Sequence, residues 1–350
     1  MRALAWVSVL AMLGTVACSG GEDGPRRAVE TAGTANGGSG GSSVLPTGGS
    51  SSQAGTSPSA GAPTSSAGTT SQAGSAPFGG GGGGDDKAHV ITWVPPYLVT
   101  ESKQALNAAF EGASMADGLS YLALQFWVTD GPATHLDQVS EADITWFHDW
   151  ARQHSVKILL CVHNNTGEWN WPEGKRAFKD NREAFVTHLV SQVMTRDLDG
   201  VDIDIEGIID STEDDRQSYL AFVQALSGKL RPLGKTLTLD SFHSKWNAPN
   251  WDWWPELLPL VDGITSMGYE TSGMGVDYQE LVDHAALAPS KLMIGVPSYH
   301  GTWLGHSVDE QLAWLANQGH VGTAIWDASL RAPEWRRRAV WDQLKAIKSR

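Results

Sequence analysis

The sequence predicts one (β/α)8 barrel behind a segment that does not fold. Eight short, β-branched apolar runs alternate with longer stretches of helical period after Asp86, as βα units around a parallel sheet do. Residues 86–350 number roughly 260, a common length for such a barrel. No glycine-rich phosphate loop follows the first run, which continues into Pro95 and Pro96. An open nucleotide-binding sheet, the alternative, therefore lacks its main support.

The eight predicted strands and their helices follow in order. The strands comprise residues 89–94, 121–128, 157–163, 200–206, 236–241, 263–268, 291–297 and 322–327. Two of the intervening helices have recognisable capping boxes, Ser140 with Asp143 and Ser307 with Glu310. A closed barrel places its active site at the carboxyl ends of the strands.

Residues 1–18 are predicted to be an export signal. An arginine precedes an apolar run, residues 3–17, which is shorter than the roughly 20 residues that a membrane span needs. Small residues before Cys18 resemble the lipobox of bacterial lipoproteins. That resemblance implies cleavage before Cys18 and lipidation of its thiol. Because Thr15 stands where leucine is more usual, ordinary signal cleavage is the alternative.

Residues 19–85 are predicted to be a flexible linker. They consist mainly of Gly, Ser, Thr, Ala and Pro, with almost no large apolar side chains. Such a segment buries too little surface to offset its conformational entropy. We therefore expect an exported domain, either tethered to the cell envelope by a lipid or secreted.

The charge balance argues against a nucleic-acid partner. The formal net charge is −14 and the pI is near 5.1, whereas phosphate binding needs a surplus of Lys and Arg. The other cysteine, Cys161, lies in an apolar run and is expected to be a small buried hydrophobe. We expect no metal site and a monomer whose membrane contact is confined to Cys18.

Residues 199–206 contain the candidate catalytic acids. The segment alternates acidic and aliphatic residues, so a strand places Asp202, Asp204 and Glu206 on one face. If both faces are covered, these acids share a confined interior, where repulsion and desolvation favour protonated forms. The arrangement costs stability, and we therefore expect it to serve a reaction.

This segment resembles the DGxDxDxE motif of glycoside hydrolase family 18, the chitinases and endo-β-N-acetylglucosaminidases, and it falls on the fourth strand as in that family. Residues 266–270 are similar to the family's M-x-Y-D on the sixth strand. Residues 291–299 resemble its seventh strand. Residues 322–326 resemble the eighth, whose Trp forms the floor under the reacting sugar.

The resemblance implies a catalytic role for four residues. Glu206 would be the general acid, and the substrate's own N-acetyl carbonyl would be the nucleophile. Asp204 would stabilise the resulting charge, Asp202 would hold Asp204, and the Tyr269 hydroxyl would bond the acetamido oxygen. Anomeric configuration would be retained, and no cofactor is implied.

Further residues near the strand ends are predicted to bind substrate. Aromatic rings stack on the apolar faces of sugars, whereas polar side chains bond hydroxyl groups. The candidates are Trp93, Trp127, Asn164, His243, Met267, Glu270, Trp303 and Trp326. The tryptophans at 246, 251, 253 and 254 form either a binding wall or a packing cluster.

Two departures from the family pattern affect specificity. Residues 161–165 replace the family's S-x-G-G after the third strand, and Glu270 stands where Asp is usual. Chitin is the favoured substrate, and protein-linked N-glycans are the alternative. A non-catalytic glycan-binding barrel is a second alternative. A calcium loop is a third, although Gly200 comes too early for EF-hand spacing.

Overall fold

The structure is a computed structural model that describes residues 87–208, 211–243, 247–270, 278–284, 286, 288–303 and 305–350. The predicted signal, Cys18 and the linker lie outside the described residues, and so does Trp246.

Eight parallel strands close into a barrel, as the sequence predicts. They are β1 (Val90–Val94), β2 (Tyr121–Asp130), β3 (Lys157–His163), β4 (Gly200–Asp204), β5 (Thr236–Ser241), β6 (Gly263–Ser266), β7 (Leu292–Pro297) and β8 (Gly322–Trp326). Each strand pairs with the next, and β1 pairs with both β2 and β8. The (β/α)8 fold is therefore confirmed.

Helices surround the strands. They are α1 (Val99–Asn107), α2 (Met115–Gly118), α3 (Glu141–His154), α4 (Trp171–Lys175), α5 (Arg182–Thr195), α6 (Glu213–Leu230), α7 (Trp254–Leu257), α8 (Tyr278–His284), α9 (Val308–Ala316) and α10 (Arg338–Lys348). Both predicted capping boxes are present, Ser140 with Asp143 before α3 and Ser307 with Glu310 before α9. In each box the side-chain oxygen and carboxylate satisfy backbone N–H groups that the first turn leaves without partners.

Three short antiparallel pairings lie at the carboxyl ends of the barrel strands. They were not predicted from the sequence. Residues Ala133–Leu136 fold back on β2 as a hairpin arm. Gly207–Ile208 pairs with Asn247–Ala248, and Thr302–Trp303 pairs with His306–Ser307. These pairings shape the end of the barrel where the site lies.

A β-bulge in β2 changes which side chains face the interior. The pairing of β2 with β3 shifts between Leu124 and Trp127. Phe126 and Trp127 consequently both join the apolar layer between strands and helices, with ring centroids 6.2 Å apart. Gln125 before the two outward-facing rings and Val128 after them line the interior cavity.

The tryptophans after β5 pack mainly against the outside of the barrel. Trp254 is fully buried, and its Nε1–H donates to Ser241 Oγ at 2.7 Å. Trp253 is buried against Tyr219 of α6, with ring centroids 5.7 Å apart. Half-buried Trp251 stacks on His284 at 4.8 Å. For Trp253 and Trp254, packing rather than a sugar-binding wall describes the arrangement.

Within the described residues, no helix combines the length and apolar character needed to cross a lipid bilayer.

Gly200→Ala is expected to destabilise the barrel. Gly200 pairs with Thr236, and a Cβ at Gly200 would lie 2.0 Å from the Thr236 carbonyl oxygen. Because backbone atoms must then move apart, we expect the free energy of unfolding to fall by about 2 kcal/mol or more in urea titrations.

Gly228→Ala is the matched control. Gly228 lies exposed within α6, and nothing lies within 4 Å of the added Cβ. Alanine there should stabilise the helix by about 0.5–1 kcal/mol. Equal effects of the two substitutions would contradict the close packing of β4 on β5.

Candidate active site

Three acids lie along one wall of the barrel interior. Asp202 and Asp204 are on β4, and Glu206 follows two residues later; their exposed fractions are 0%, 2% and 7%. Val201, Ile203 and Ile205 belong to the apolar layer on the opposite side of the strand. The structure therefore brings the three predicted acids together.

Asp202 is held by neighbours on both sides. Trp93 Nε1–H of β1 donates to Asp202 Oδ2 at 2.8 Å, and the Thr238 hydroxyl of β5 donates to Oδ1 at 2.5 Å. Burial raises the pKa of Asp202, and these hydrogen bonds oppose that rise because they stabilise the anion. Trp93, predicted to bind substrate, instead lies beneath the site as a donor to Asp202.

Asp204 is positioned by the bulged strand. Gln125 Nε2–H donates to Asp204 Oδ2 at 2.6 Å, and both residues are buried. Gln125 faces the interior because it continues the alternation of Tyr121 and Ala123, whereas the bulge turns the next two side chains outward.

Glu206 is anchored through its main chain. The Glu206 backbone N–H donates to Asn164 Oδ1, and Asn164 Nδ2–H donates to the Glu206 carbonyl oxygen, both at 2.8 Å. Asn164 is fully buried. The amide of Asn164 thus fixes the peptide that carries the predicted general acid, rather than extending toward a substrate.

An apolar cluster forms the wall on the β5 to β8 side. Its members are Phe242, Met267, Tyr269 and Trp303, with Trp326 packed against them. Trp303 Nε1–H donates to the Tyr269 carbonyl oxygen at 3.3 Å. Gly295 leaves room for the Tyr269 ring, because a Cβ there would lie 2.4 Å from the ring. Met267, Tyr269, Trp303 and Trp326 are therefore brought to one place.

Trp326 connects this wall to the interior. Its ring centroid lies 5.8 Å from that of Trp93, and its side chain is only partly buried. The peptide between Trp326 and Asp327 is cis. Ser298 holds this peptide, since its backbone N–H donates to the Trp326 carbonyl oxygen at 2.6 Å and its hydroxyl accepts from the Asp327 N–H at 2.8 Å.

A cavity of about 450 Å³ opens on the β1 to β3 side. Gln125, His163 and Asn165 line it, together with His135 and Asp137 from the end of the hairpin arm. His163 is 2% exposed, and its Nε2 has no hydrogen-bond partner among the described residues. Burial, together with the nearby His135, lowers the pKa of His163 to about 4. Since Gln125 also bonds Asp204, the cavity adjoins the acids.

Three other predicted substrate residues have different outcomes. Trp127 is 1% exposed and lies in the outer apolar layer, so the structure does not bring it to the site. His243 is 7% exposed just beyond β5, and burial lowers its pKa. The Glu270 side chain lies outside the described part of the chain.

Gln125, Thr238 and Asp240 also belong to the site, although they were not predicted from the sequence. Thr238 and Asp240 belong to the alternation of residues 236–241, which places every second side chain of β5 inside the barrel. That alternation was a usable signal. The same signal was available for Gln125, which follows Tyr121 and Ala123 at intervals of two on β2.

A closed (β/α)8 barrel with acids at the carboxyl end of one strand, an aromatic wall and an adjoining polar cavity is typical of hydrolases that act on sugars. A family model, glycosyl hydrolases family 18, matches residues 96–346. The chain belongs to this family and is a glycoside hydrolase. Comparison with curated protein sequences gave no match.

Solved structures share the fold at low sequence identity. A chitinase from Chromobacterium violaceum is 15% identical with a TM-score of 0.59, over 75% of this chain and 99% of that one. The spore cortex-lytic enzyme SleL from Bacillus megaterium is 13% identical with a TM-score of 0.58, over 74% of each chain. A family 18 N-acetylglucosaminidase from Paenibacillus barengoltzii is 14% identical with a TM-score of 0.57, over 75% of this chain and 100% of that one.

His163 is expected to make the protein less stable in mild acid. Its folded-state pKa of about 4 lies below the ordinary value of 6.5, so the unfolded chain binds the extra proton between these values. The stabilisation is therefore complete above pH 6.5 and lost as the pH falls to 4, by about 3 kcal/mol at most. Unfolding of the wild type and of His163→Asn, measured across this range, should diverge in slope. Parallel curves would contradict a neutral buried His163.

Asn164→Ala is expected to loosen the Glu206 peptide. It removes two hydrogen bonds and leaves a buried N–H and C=O without partners, which should cost about 2–3 kcal/mol of unfolding free energy. Asn317→Ala, which loses one exposed bond to Ala313, should change stability by less than about 0.5 kcal/mol. Equal losses in urea titrations would show that the Asn164 bonds contribute nothing specific.

Proposed function

We propose that this glycoside hydrolase cleaves β-linkages that follow an N-acetylglucosamine residue, with chitin oligomers as the favoured substrate. The observation that carries the proposal is the placement of Glu206. It lies at the end of the acid wall, two residues along the same face from Asp204, with its peptide fixed by Asn164. A carboxylic acid held in that way is suited to protonate a leaving oxygen.

The proposed reaction has two steps. Glu206 first gives its proton to the glycosidic oxygen, while the acetamido carbonyl oxygen of the substrate bonds to the anomeric carbon and the glycosidic bond breaks. A water molecule then attacks the same carbon, the bond from that carbon to the acetamido oxygen breaks, and the water gives a proton to the Glu206 carboxylate. Because each step inverts the anomeric centre, the product retains the configuration of the substrate.

Asp204 and Tyr269 are proposed to act on the acetamido group. The Asp204 carboxylate would accept its N–H and stabilise the oxazolinium charge, and the Tyr269 hydroxyl would donate to its oxygen. The two residues approach from different sides, Asp204 from β4 and Tyr269 from the aromatic wall after β6. Asp202, held by Trp93 and Thr238, would support Asp204 from beneath.

The surroundings of the acids suit a sugar. Trp326 offers a partly exposed ring beside the wall, and the cavity on the β1 to β3 side has a volume in the range of small-ligand sites. Several structural relatives are named as chitinases or as an N-acetylglucosaminidase. These names, together with the family, support a substrate that contains N-acetylglucosamine.

Glu206→Gln is expected to abolish cleavage and to spare binding. The amide cannot donate a proton to the leaving group, so kcat on chitooligosaccharides should fall by about 10²–10⁴-fold. Isothermal titration should still detect oligomer binding. Glu183→Gln, an exposed change on α5, is the control and should keep full activity. A wild type that binds oligomers without cutting them would favour a non-catalytic binding barrel.

The product anomer tests the mechanism, and parallel substrates test the specificity. Proton NMR immediately after cleavage should show the retained β-anomer first, and the inverted anomer would rule out the proposed route. Faster cleavage of chitooligosaccharides than of a high-mannose glycopeptide is expected. The opposite preference would favour an endo-β-N-acetylglucosaminidase that acts on N-glycans.

We also propose that the protein is exported as a monomer with a lipid on Cys18. The support is the sequence of residues 1–18 and the polar linker behind it. Mass spectrometry of the amino-terminal peptide should find the acylated cysteine in the wild type and its absence in Cys18→Ser. Unmodified Cys18 in membrane fractions would overturn the anchor, and sedimentation would report the oligomeric state.

A further inference from the structure

A fourth carboxylate, Asp240, lies in the barrel interior next to the catalytic acids. It belongs to β5, two residues after Thr238, and its exposed fraction is 1%. The reaction described above gives it no role. A buried carboxylate without a purpose would be a costly feature, because burial without compensation strongly disfavours a charge.

Asp240 approaches Asp202 closely. A carboxylate oxygen of each residue and the Cys161 sulfur all lie within 4.8 Å of one another. Among the described residues, neither Asp202 nor Asp240 forms an ion pair with a basic side chain. Two like charges at this distance in a buried place repel strongly, so one of the two acids keeps a proton.

The hydrogen bonds indicate which acid is protonated. Both oxygens of Asp202 accept hydrogen bonds, from Trp93 and from Thr238, and such bonds favour the anion. Asp240 Oδ1 has no hydrogen-bond partner among the described residues. Burial raises the pKa of Asp240 well above its usual value, and the neighbouring Asp202 and Asp204 raise it further.

The groups that face Asp240 supply no competing positive charge. Asp202 and Asp204 face it from β4, Cys161 from β3 and Thr265 from β6. Burial raises the pKa of the Cys161 thiol and of the Tyr219 phenol, so both stay neutral. Glu206 adds a further acidic group at the same end of the barrel.

A metal ion fits this cluster less well than a proton. Both Asp202 oxygens are already occupied by donors that a cation would have to displace, and the Cys161 thiol resists ionisation.

We propose that Asp240 is a positioning residue, a neutral carboxylic acid whose O–H donates to the Asp202 carboxylate and holds it in place as an anion. This inference rests on the proposed function, in which Asp202 supports Asp204. Asp202 is then fixed as an anion, farthest from the substrate. The proton shared among Asp202, Asp204 and Glu206 therefore lies nearer the substrate, on the side of Glu206. Cleavage needs the proton there.

Two substitutions of Asp240 test whether its role is to donate a hydrogen bond to Asp202 or to carry a negative charge. Asp240→Asn keeps a neutral donor of the same shape, so kcat/KM and its pH profile should stay within about threefold of the wild type. Asp240→Leu removes the donor. Asp202 then becomes harder to ionise, so kcat should fall by about tenfold or more with KM little changed. The acidic limb of the kcat/KM profile should move upward by about half a pH unit or more.

Asp262→Asn is the matched control. Asp262 lies at the start of β6, at the opposite end of the barrel, where its carboxylate accepts from the Leu237 N–H. It should keep the wild-type profile. If Asp240→Leu keeps the wild-type kcat and profile, or if Asp240→Asn loses as much activity as Asp240→Leu, the proposal is overturned.

Infrared spectroscopy provides a readout that needs no substrate. The full chain carrying Glu206→Gln, which removes the proton proposed for Glu206, should show at neutral pH a protonated carboxylic acid band that disappears when Asp240→Asn is added. Its persistence in that variant would refute the neutral acid, even if the chain cleaves no chitooligosaccharide and the proposed function itself fails. The measurement also decides the matter if Asp240→Leu does not fold.

Discussion

The burial of acids on neighbouring strands of the barrel determines how the residues around them are arranged. Asp202 and Asp204 are almost fully buried on β4, and Asp240 is equally buried on β5. An acid in that interior needs hydrogen-bond donors that stabilise its charge, separation from other negative charges, or a proton that removes the charge. The strands around β4 supply the donors: an indole from β1, an amide from β2 and a hydroxyl from β5 each donate to an acid. Closure of the barrel is what brings these three elements within reach of one strand.

The site is consequently asymmetric about the acids. On one side, aromatic and apolar side chains after β5, β6 and β8 form a wall that suits the apolar face of a sugar ring. On the other side, amide, imidazole and carboxylate groups line the cavity between β1 and β3. Glu206 lies between them, with its peptide fixed by two hydrogen bonds with the amide of Asn164. These two bonds hold the main chain of Glu206 in place, and the main chain in turn positions the side chain.

Periodicity in the sequence was sufficient to predict the eight strands, because each combines a short β-branched run with flanking turn residues. The third and fifth strands have the predicted bounds, and the others differ by one or two residues at an end. The acids were equally visible, since alternation with Val201, Ile203 and Ile205 fixes their face. Contacts between distant segments could not be predicted from the sequence. Asn164 and Glu206 lie 42 residues apart, and only the folded chain shows that one anchors the other. Trp127 was predicted to bind substrate because it lies near a strand end, whereas the bulge in β2 turns its side chain to the outer layer.

The bulge in β2 has a consequence beyond that misplacement. An extra residue in a strand shifts the alternation of its side chains. Every later side chain then lies on the opposite face from the one that regular alternation would give it. Both halves of β2 pair with β3, but residues up to Gln125 follow one alternation and Val128 follows the shifted one. The side chains that border the cavity from the end of β2 are therefore set by the position of the bulge, and a strand of the same sequence without the bulge would present Trp127 there.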